Sequence, residues 1–204
     1  MCPHCGFSIA DADFMFGRGE VSLKALTDGA GLFGRGERRR VEAAMEHFSR
    51  RFPQLFVAVY TGSLGEVANL RQFGFWLLNR AAFEEVPVDK PNESGILITM
   101  DPESKAAGMV FGYALDAFLD EADTFECLSR AHAHWLEGRY ADGLVKLLVQ
   151  LEGILIKRSR QTRRDPEYFR HKAMPLAGKG DGLRRMRDGH LPAKEEPVTE
   201  HVQP

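Results

Sequence analysis

The chain has 204 residues, 44% hydrophobic and 10% aromatic, which is enough apolar material for one sizeable core with tails. A formal charge of −2 removes any global pull toward nucleic acid or an anionic membrane, and three cysteines, two of them in a CxxC, fit a reducing compartment rather than a disulfide framework. No basic leader precedes an apolar run and no window approaches the ~18 unbroken apolar residues of a membrane span, so the sequence reads as soluble and cytoplasmic.

The chain opens MCPHCGF, with Cys2 and Cys5 at the spacing of half a zinc site. A closed structural zinc needs four ligands, so the missing pair must come from His4, from His171 in the tail, or from a second chain, and a zinc shared between chains would make a homodimer. The same tetrapeptide is similar to the active pair of disulfide oxidoreductases, but those cysteines follow a strand and open a helix, and only Met1 precedes Cys2 here. Residues 1–20 are read as a separate flexible CxxC segment.

In GERRRVEAAMEHFSRRF, residues Val41, Met45, Phe48 and Phe52 recur at helical spacing, and Pro53 ends the helix. The run LFVAVYTG between Pro53 and Gly62 reads as a buried strand. Ser63 and Glu66 form an S-x-x-E capping box that predicts a helix with Val67, Leu70, Phe73, Leu77 and Leu78 on one stripe, running to about residue 83. The stretch VPVDKPNESG is a loop, and GILITMD and AAGMVFGY, joined by DPESK, predict an antiparallel hairpin. Asp120 caps a helix expected to place Phe125, Leu128, His132 and Trp135 inward, with Cys127 and His134 outward. Those two outward groups stand about 10 Å apart along the axis, too far to share one zinc.

Gly138 breaks that helix, and Leu144, Leu147, Leu148, Leu151 and Leu155 mark a last amphipathic helix over residues 140–157. Residues 157–172 hold seven basic and two acidic side chains, a net of +5, against about −7 for the rest. Residues 159–204 are read as a basic, largely disordered tail. His47, Trp76 and Trp135 read as a surface residue and two packing groups. The expectation at this level is an α/β fold: a small sheet flanked by helices, with flexible N- and C-terminal segments.

The ordered series LTDGAGLFGRGE, VAVYTGSLGE, GILITMDPESKAAGMVFGYALDAFLDEAD and EGRYADGLVKLL resembles the TPM domain family over about residues 26–155. The family is named for a thylakoid lumen protein, a photosystem repair protein and a nematode receptor-modulating protein. Its most specific piece is FGYALDAFLD, similar to the family's G-Y-G-L-E-x-x-L-x-D. The resemblance implies a βαβ sandwich over residues 21–158, divalent-cation binding in some members, a weak acid phosphatase activity in certain others, and accessory roles at membrane complexes.

Residue by residue, the motif picks out Asp28, Asp101, Asp116 and Asp120 as candidate ligands for calcium or magnesium, whose hard ions take oxygen donors. Each also has a structural reading: Asp28 in a Gly-rich bend, Asp101 opening a turn before Pro102, Asp120 as an N-cap. Ala114 stands where the family has its second glycine, and Asp116 where it has glutamate.

No P-loop lysine, nucleophile elbow or phosphate-cradling cysteine is present, so any hydrolysis would be metal-assisted, with Thr61 and Ser63 near a phosphate at a helix N-terminus. The expected function is an accessory or interaction module for a protein partner, in assembly or maintenance of a larger complex. A metal-dependent phosphatase is the alternative, and a zinc-knuckle nucleic-acid binder with the basic tail is the weaker one.

Overall fold

The computed structural model describes residues 7–65, 69–87 and 90–167. Cys2, His4, Cys5, Glu66, Val67 and His171 lie outside the described residues, and with them the zinc half-site and its candidate completing ligands.

Helix α1 (Ile9–Phe16) precedes two short strands, β1 (Val21–Leu23) and β2 (Leu26–Asp28). Helix α2 (Arg35–Arg51) buries Val41, Met45 and Phe48, as its spacing predicts, and leads to β3 (Phe56–Thr61). Helix α3 (Leu70–Arg80), strand β4 (Ala81–Phe83), the hairpin β5 (Gly95–Asp101) and β6 (Ala106–Phe111), and helices α4 (Glu121–Leu136) and α5 (Tyr140–Arg164) complete the order. The expected α/β class is the one observed.

Strands β2, β3, β5 and β6 form a four-stranded sheet in that order, with β2, β3 and β5 parallel and β6 antiparallel to β5. β1 and β4 make a separate parallel pair. Alternation along the central strands divides the core. Val57, Val59, Ile96 and Ile98 face α2, α4 and α5, while Phe56, Ala58 and Leu97 face α3 and α1. Both faces are covered, which is why β3 and β5 read as continuous apolar runs rather than as alternating ones.

The steps from β2 to β3 and from β3 to β5 go the same way across the sheet, yet α2 lies on one face and α3 on the other. The two crossovers therefore have opposite hands, and their first loops leave the carboxyl ends of neighbouring strands in opposite directions. Diverging loops of this kind open a crevice beyond the strand ends, the usual location of ligand sites in open α/β sheets.

Several expectations are corrected. The helix expected from Ser63 begins at Leu70, where the Asn69 side chain accepts from the Arg71 and Gln72 N–H groups. Gly65, at φ +67, holds the left-handed backbone that interrupts the earlier start, and the Ser63 hydroxyl donates to Glu103 instead. Residues at the expected helix end form β4, paired with β1.

On α4 the inner face is Cys127, Ala131 and Trp135, while Phe125 is 73% exposed. The ring at Phe125 suggested the wrong rotation. The true inner face carries small residues because α5 lies close against it, with Gly143 beneath the Trp135 indole. Cys127 is accordingly buried rather than outward. Gly138, at φ +72, does end α4, but α5 continues past residue 157 to Arg164, so the first basic residues assigned to the tail are helical.

Within residues 1–20, expected as a separate flexible CxxC segment, residues 9–16 instead form helix α1, whose Ala12 and Phe16 pack against Phe73 and Trp76 of α3. The Trp76 indole N–H donates to the Gly17 carbonyl at 2.9 Å, and Arg80 grips the Asp13 carboxylate with two donors. Among the described residues no helix is long and apolar enough to cross a membrane.

Candidate functional site

The ladder brings Asp28 of β2 beside Thr61 of β3, and Thr61 beside Met100 of β5, so Asp28, Thr61 and Asp101 line the carboxyl end of the sheet. Position is not availability. The Asp28 side chain is 4% exposed, its Oδ1 accepts from the Thr61 hydroxyl at 2.6 Å and the Leu32 N–H at 2.9 Å, and its Oδ2 accepts from the Phe33 N–H at 3.1 Å. The Arg38 guanidinium stands 4.0 Å from Oδ2. The Gly29 and Ala30 N–H groups close on the Thr61 carbonyl at 2.8 and 3.2 Å, so the whole turn after β2 is pinned to the end of β3. Asp28 is the latch of that turn.

Asp101 does the same for the β5–β6 turn. It is 4% exposed; Oδ1 accepts from the Glu103 and Ser104 N–H groups at 3.0 and 3.4 Å, and Oδ2 from the Leu64 N–H at 3.5 Å. Burial alone pushes this carboxyl up, but the Ser104 hydroxyl and the Ser104, Glu103 and Leu64 N–H donors outweigh it and hold the group below the ordinary carboxylate range. The hydrogen bonds from Arg80 likewise depress Asp13, against the opposing effect of burial, with the Arg80 charge adding to them.

A depressed folded-state pKa contributes stability that is present above the unfolded value, near 3.9, and is lost as pH falls through the folded one. The urea midpoint should therefore hold from neutral pH down to about 5 and fall steeply below about 4. Asp101→Asn should flatten part of that fall, and an equally steep fall in that variant would remove Asp101 as a contributor.

The other two aspartates sit elsewhere. The Asp116 N–H closes the short turn of residues 113–115 onto the Tyr113 carbonyl at 3.2 Å. Asp120 caps α4 as expected, its Oδ1 accepting from the Asp123 N–H at 2.9 Å, with Asp123 returning the bond to the Asp120 N–H at 3.2 Å. Arg158 of α5 stands 3.6 Å from Asp120 and 3.3 Å from Asp123, and ties the start of α4 to α5.

Among the described residues no group of three or more His, Cys, Asp or Glu side chains is placed to hold a metal ion. The donor set at Asp28 explains why in chemical terms. A hard cation needs carboxylate lone pairs turned toward it, and those of Asp28 are turned toward three donors of its own fold. The four aspartates do not fit a single shared calcium or magnesium. Cys127 is no better as a ligand: burial, then the neighbouring Asp123 and Glu126 charges, push its thiol up to about 12, so it stays protonated.

A different surface was missed. On the helical face away from the sheet, a groove of about 640 Å³ lies between α2, α4 and α5, lined by Arg40, Ala43, His134, Val145, Lys146 and Val149. Arg40 bonds Asp142 across the groove at 2.8 Å. His134 Nδ1 is buried there without a hydrogen-bond partner, and Val149 is 62% exposed. The sequence did carry a signal: Val145 and Val149 fall one turn apart on the flank of α5 beside its core leucines, with Lys146 further round toward the outer side.

A family model for the TPM domain matches residues 26–154. Solved structures similar to this chain include the N-terminal domain of cg2496 protein from Corynebacterium glutamicum, at 14% identity and a TM-score of 0.50 over 64% of this chain and 78% of that one. The N-terminal domain of a protein from P. gingivalis is 20% identical, with a TM-score of 0.51 over 73% and 91%. BA42 protein from Bizionia argentinensis is 12% identical, with a TM-score of 0.51 over 62% and 83%. At these identities the likeness is one of fold. No curated protein matches the chain.

Proposed function

The chain belongs to the TPM domain family, and from that premise we propose that it works as a non-catalytic interaction module, holding an acidic, partly apolar segment of a protein partner in the α2–α4–α5 groove during assembly or maintenance of a larger complex. The observation that carries this reading is the pairing of surplus positive charge with exposed apolar surface. Lys146 has no ion-pair partner among the described residues, Arg40 is neutralised by Asp142, and the His134 Nδ1 is a buried polar atom that the fold itself leaves unsatisfied. Val145 and Val149 supply the apolar floor.

The carboxyl end of the sheet supports this choice from the other side. Thr61, the hydroxyl nearest Asp28, is fully buried and donates to that carboxylate, so neither group is presented to a phosphoryl substrate. A hydrolytic reading has no further observation in its favour.

A titration followed by amide NMR, with a random glutamate–tyrosine copolymer as probe, tests the proposal. Resonances of His134, Lys146 and Val149 should shift, and Lys146→Glu should weaken binding about tenfold, the size of one desolvated charge contact at an interface. A lysine–tyrosine copolymer should leave the groove unchanged. Equal response to both polymers, or none to the acidic one, would remove the groove as a binding site.

A further inference from the structure

Strand β6 is one edge of the four-stranded sheet, unpaired on its outer side among the described residues, and its sequence is AAGMVF. In an antiparallel ladder, hydrogen-bonded and non-bonded pairs alternate, so every second residue turns its N–H and C=O away from its neighbour. The Gly112 N–H donates to the Gly95 carbonyl at 2.9 Å, which marks that pair as bonded; by the observed register Leu97–Val110 and Thr99–Gly108 are bonded pairs as well. The backbone groups of Ala107, Met109 and Phe111 therefore point outward from the sheet edge, and none of them takes part in a backbone hydrogen bond with another loop or cap among the described residues.

Natural sheets blunt such edges with lysine, proline, a bulge or a covering segment. The register of β6 on β5 is unbroken, and the strand carries neither charge nor proline. An edge in this state is a template for one more strand.

We propose that β6 pairs antiparallel with β6 of a second copy of this chain, about a two-fold axis at Met109, joining two four-stranded sheets into one. The register follows from the outward set, which is centred on Met109. Ala107 then opposes the partner's Phe111 and Met109 opposes its own counterpart, so each outward N–H meets an outward carbonyl. Size complements size, since the large Phe111 falls against the small Ala107. Charge favours a like copy too: the paired segment is neutral, and Lys105 falls opposite the partner's Tyr113 rather than opposite another lysine, so no like charges meet. An isologous interface closes at two chains and leaves no further edge of this kind exposed. It uses no residue of the α2–α4–α5 groove and stands or falls separately from it.

Sedimentation velocity of the full chain from about 1 to about 200 μM should show a monomer passing to a dimer. Ala107→Pro is the decisive variant. Its N–H points outward, so proline removes a donor from the interface and none from the β5–β6 ladder, a position where edge prolines are tolerated. That variant should stay monomeric throughout the range. A double Cys2→Ser, Cys5→Ser variant should still dimerise, which separates this interface from one held by shared zinc. Hydrogen exchange on the unaltered protein gives a reading that does not depend on the proline variant folding: the Ala107, Met109 and Phe111 amides should slow about tenfold or more between the dilute and concentrated ends. A monomer at every concentration, a dimer indifferent to Ala107→Pro, a dimer lost in the cysteine variant, or edge amides whose exchange ignores concentration would each overturn the proposal.

Discussion

Asp28→Ala is expected to lower the unfolding free energy by about 3 kcal/mol, with or without calcium. The carboxylate is 4% exposed and receives the Thr61 hydroxyl and the Leu32 and Phe33 N–H groups. Truncation removes those bonds and strands part-buried donors, at about 1–3 kcal/mol for each group left without water or partner. Asp28→Asn keeps one acceptor oxygen and replaces the other with a donor facing a donor, so its cost should be smaller, about 1–2 kcal/mol.

Urea denaturation of the three proteins in millimolar calcium and in chelator separates the two roles the residue could have. A latch loses the same amount in both conditions. A cation ligand would instead show calcium stabilising the unaltered protein, by about 2.7 kcal/mol at 100 times the dissociation constant, with that increment gone from both variants. The second pattern would return Asp28 to the metal reading that the family resemblance first suggested.

An effect at least as large is expected at Gly112. The first glycine of the FGYALD motif follows β6 directly, and a Cβ there would overlap the main-chain carbonyls of Glu93 and Asn92, which cannot rotate away as a side chain can. Gly112→Ala must separate β6 from the turn of residues 92–94 and weaken the Gly112 N–H bond to Gly95, and overpacking against backbone should cost about 3 kcal/mol or more.

Ala114, where the family has its second glycine, lies exposed in the short helical turn of residues 113–115 and away from the left-handed region. Ala114→Gly should therefore move stability by about 0.5–1 kcal/mol at most, through backbone entropy alone. Thermal melts that rank the two substitutions the other way would mean that the motif's glycines serve something other than this packing.

The contrast between Gly112 and Ala114 marks the boundary between local and tertiary information in this chain. The sequence by itself determined the long elements, because a period is a local property: three apolar residues of α2 and five leucines of α5 repeat at helical spacing whatever they pack against. It also determined the β5–β6 hairpin and the Asp120 cap, which need only neighbours within a few residues. The short strands β1, β2 and β4 were not legible, since three residues carry no measurable period and become strands only by pairing with partners up to sixty residues away.

The rotation of α4 was decided by α5. Close approach at Gly143 selected the small side chains of Cys127 and Ala131 for the interior and left Phe125 outside, against the size of its ring. The candidate site divides in the same way. Acidic residues at strand ends could be read from the motif, but which atoms their oxygens face could not, because the donors to Asp28 come partly from Thr61 on another strand and those to Asp101 partly from Leu64. A carboxylate's residue type is written in the chain, whereas the direction of its lone pairs depends on which donors the folded loops bring within hydrogen-bonding distance. That is why the sequence offered four metal-ligand candidates and the tertiary structure makes latches and a helix cap of Asp28, Asp101 and Asp120.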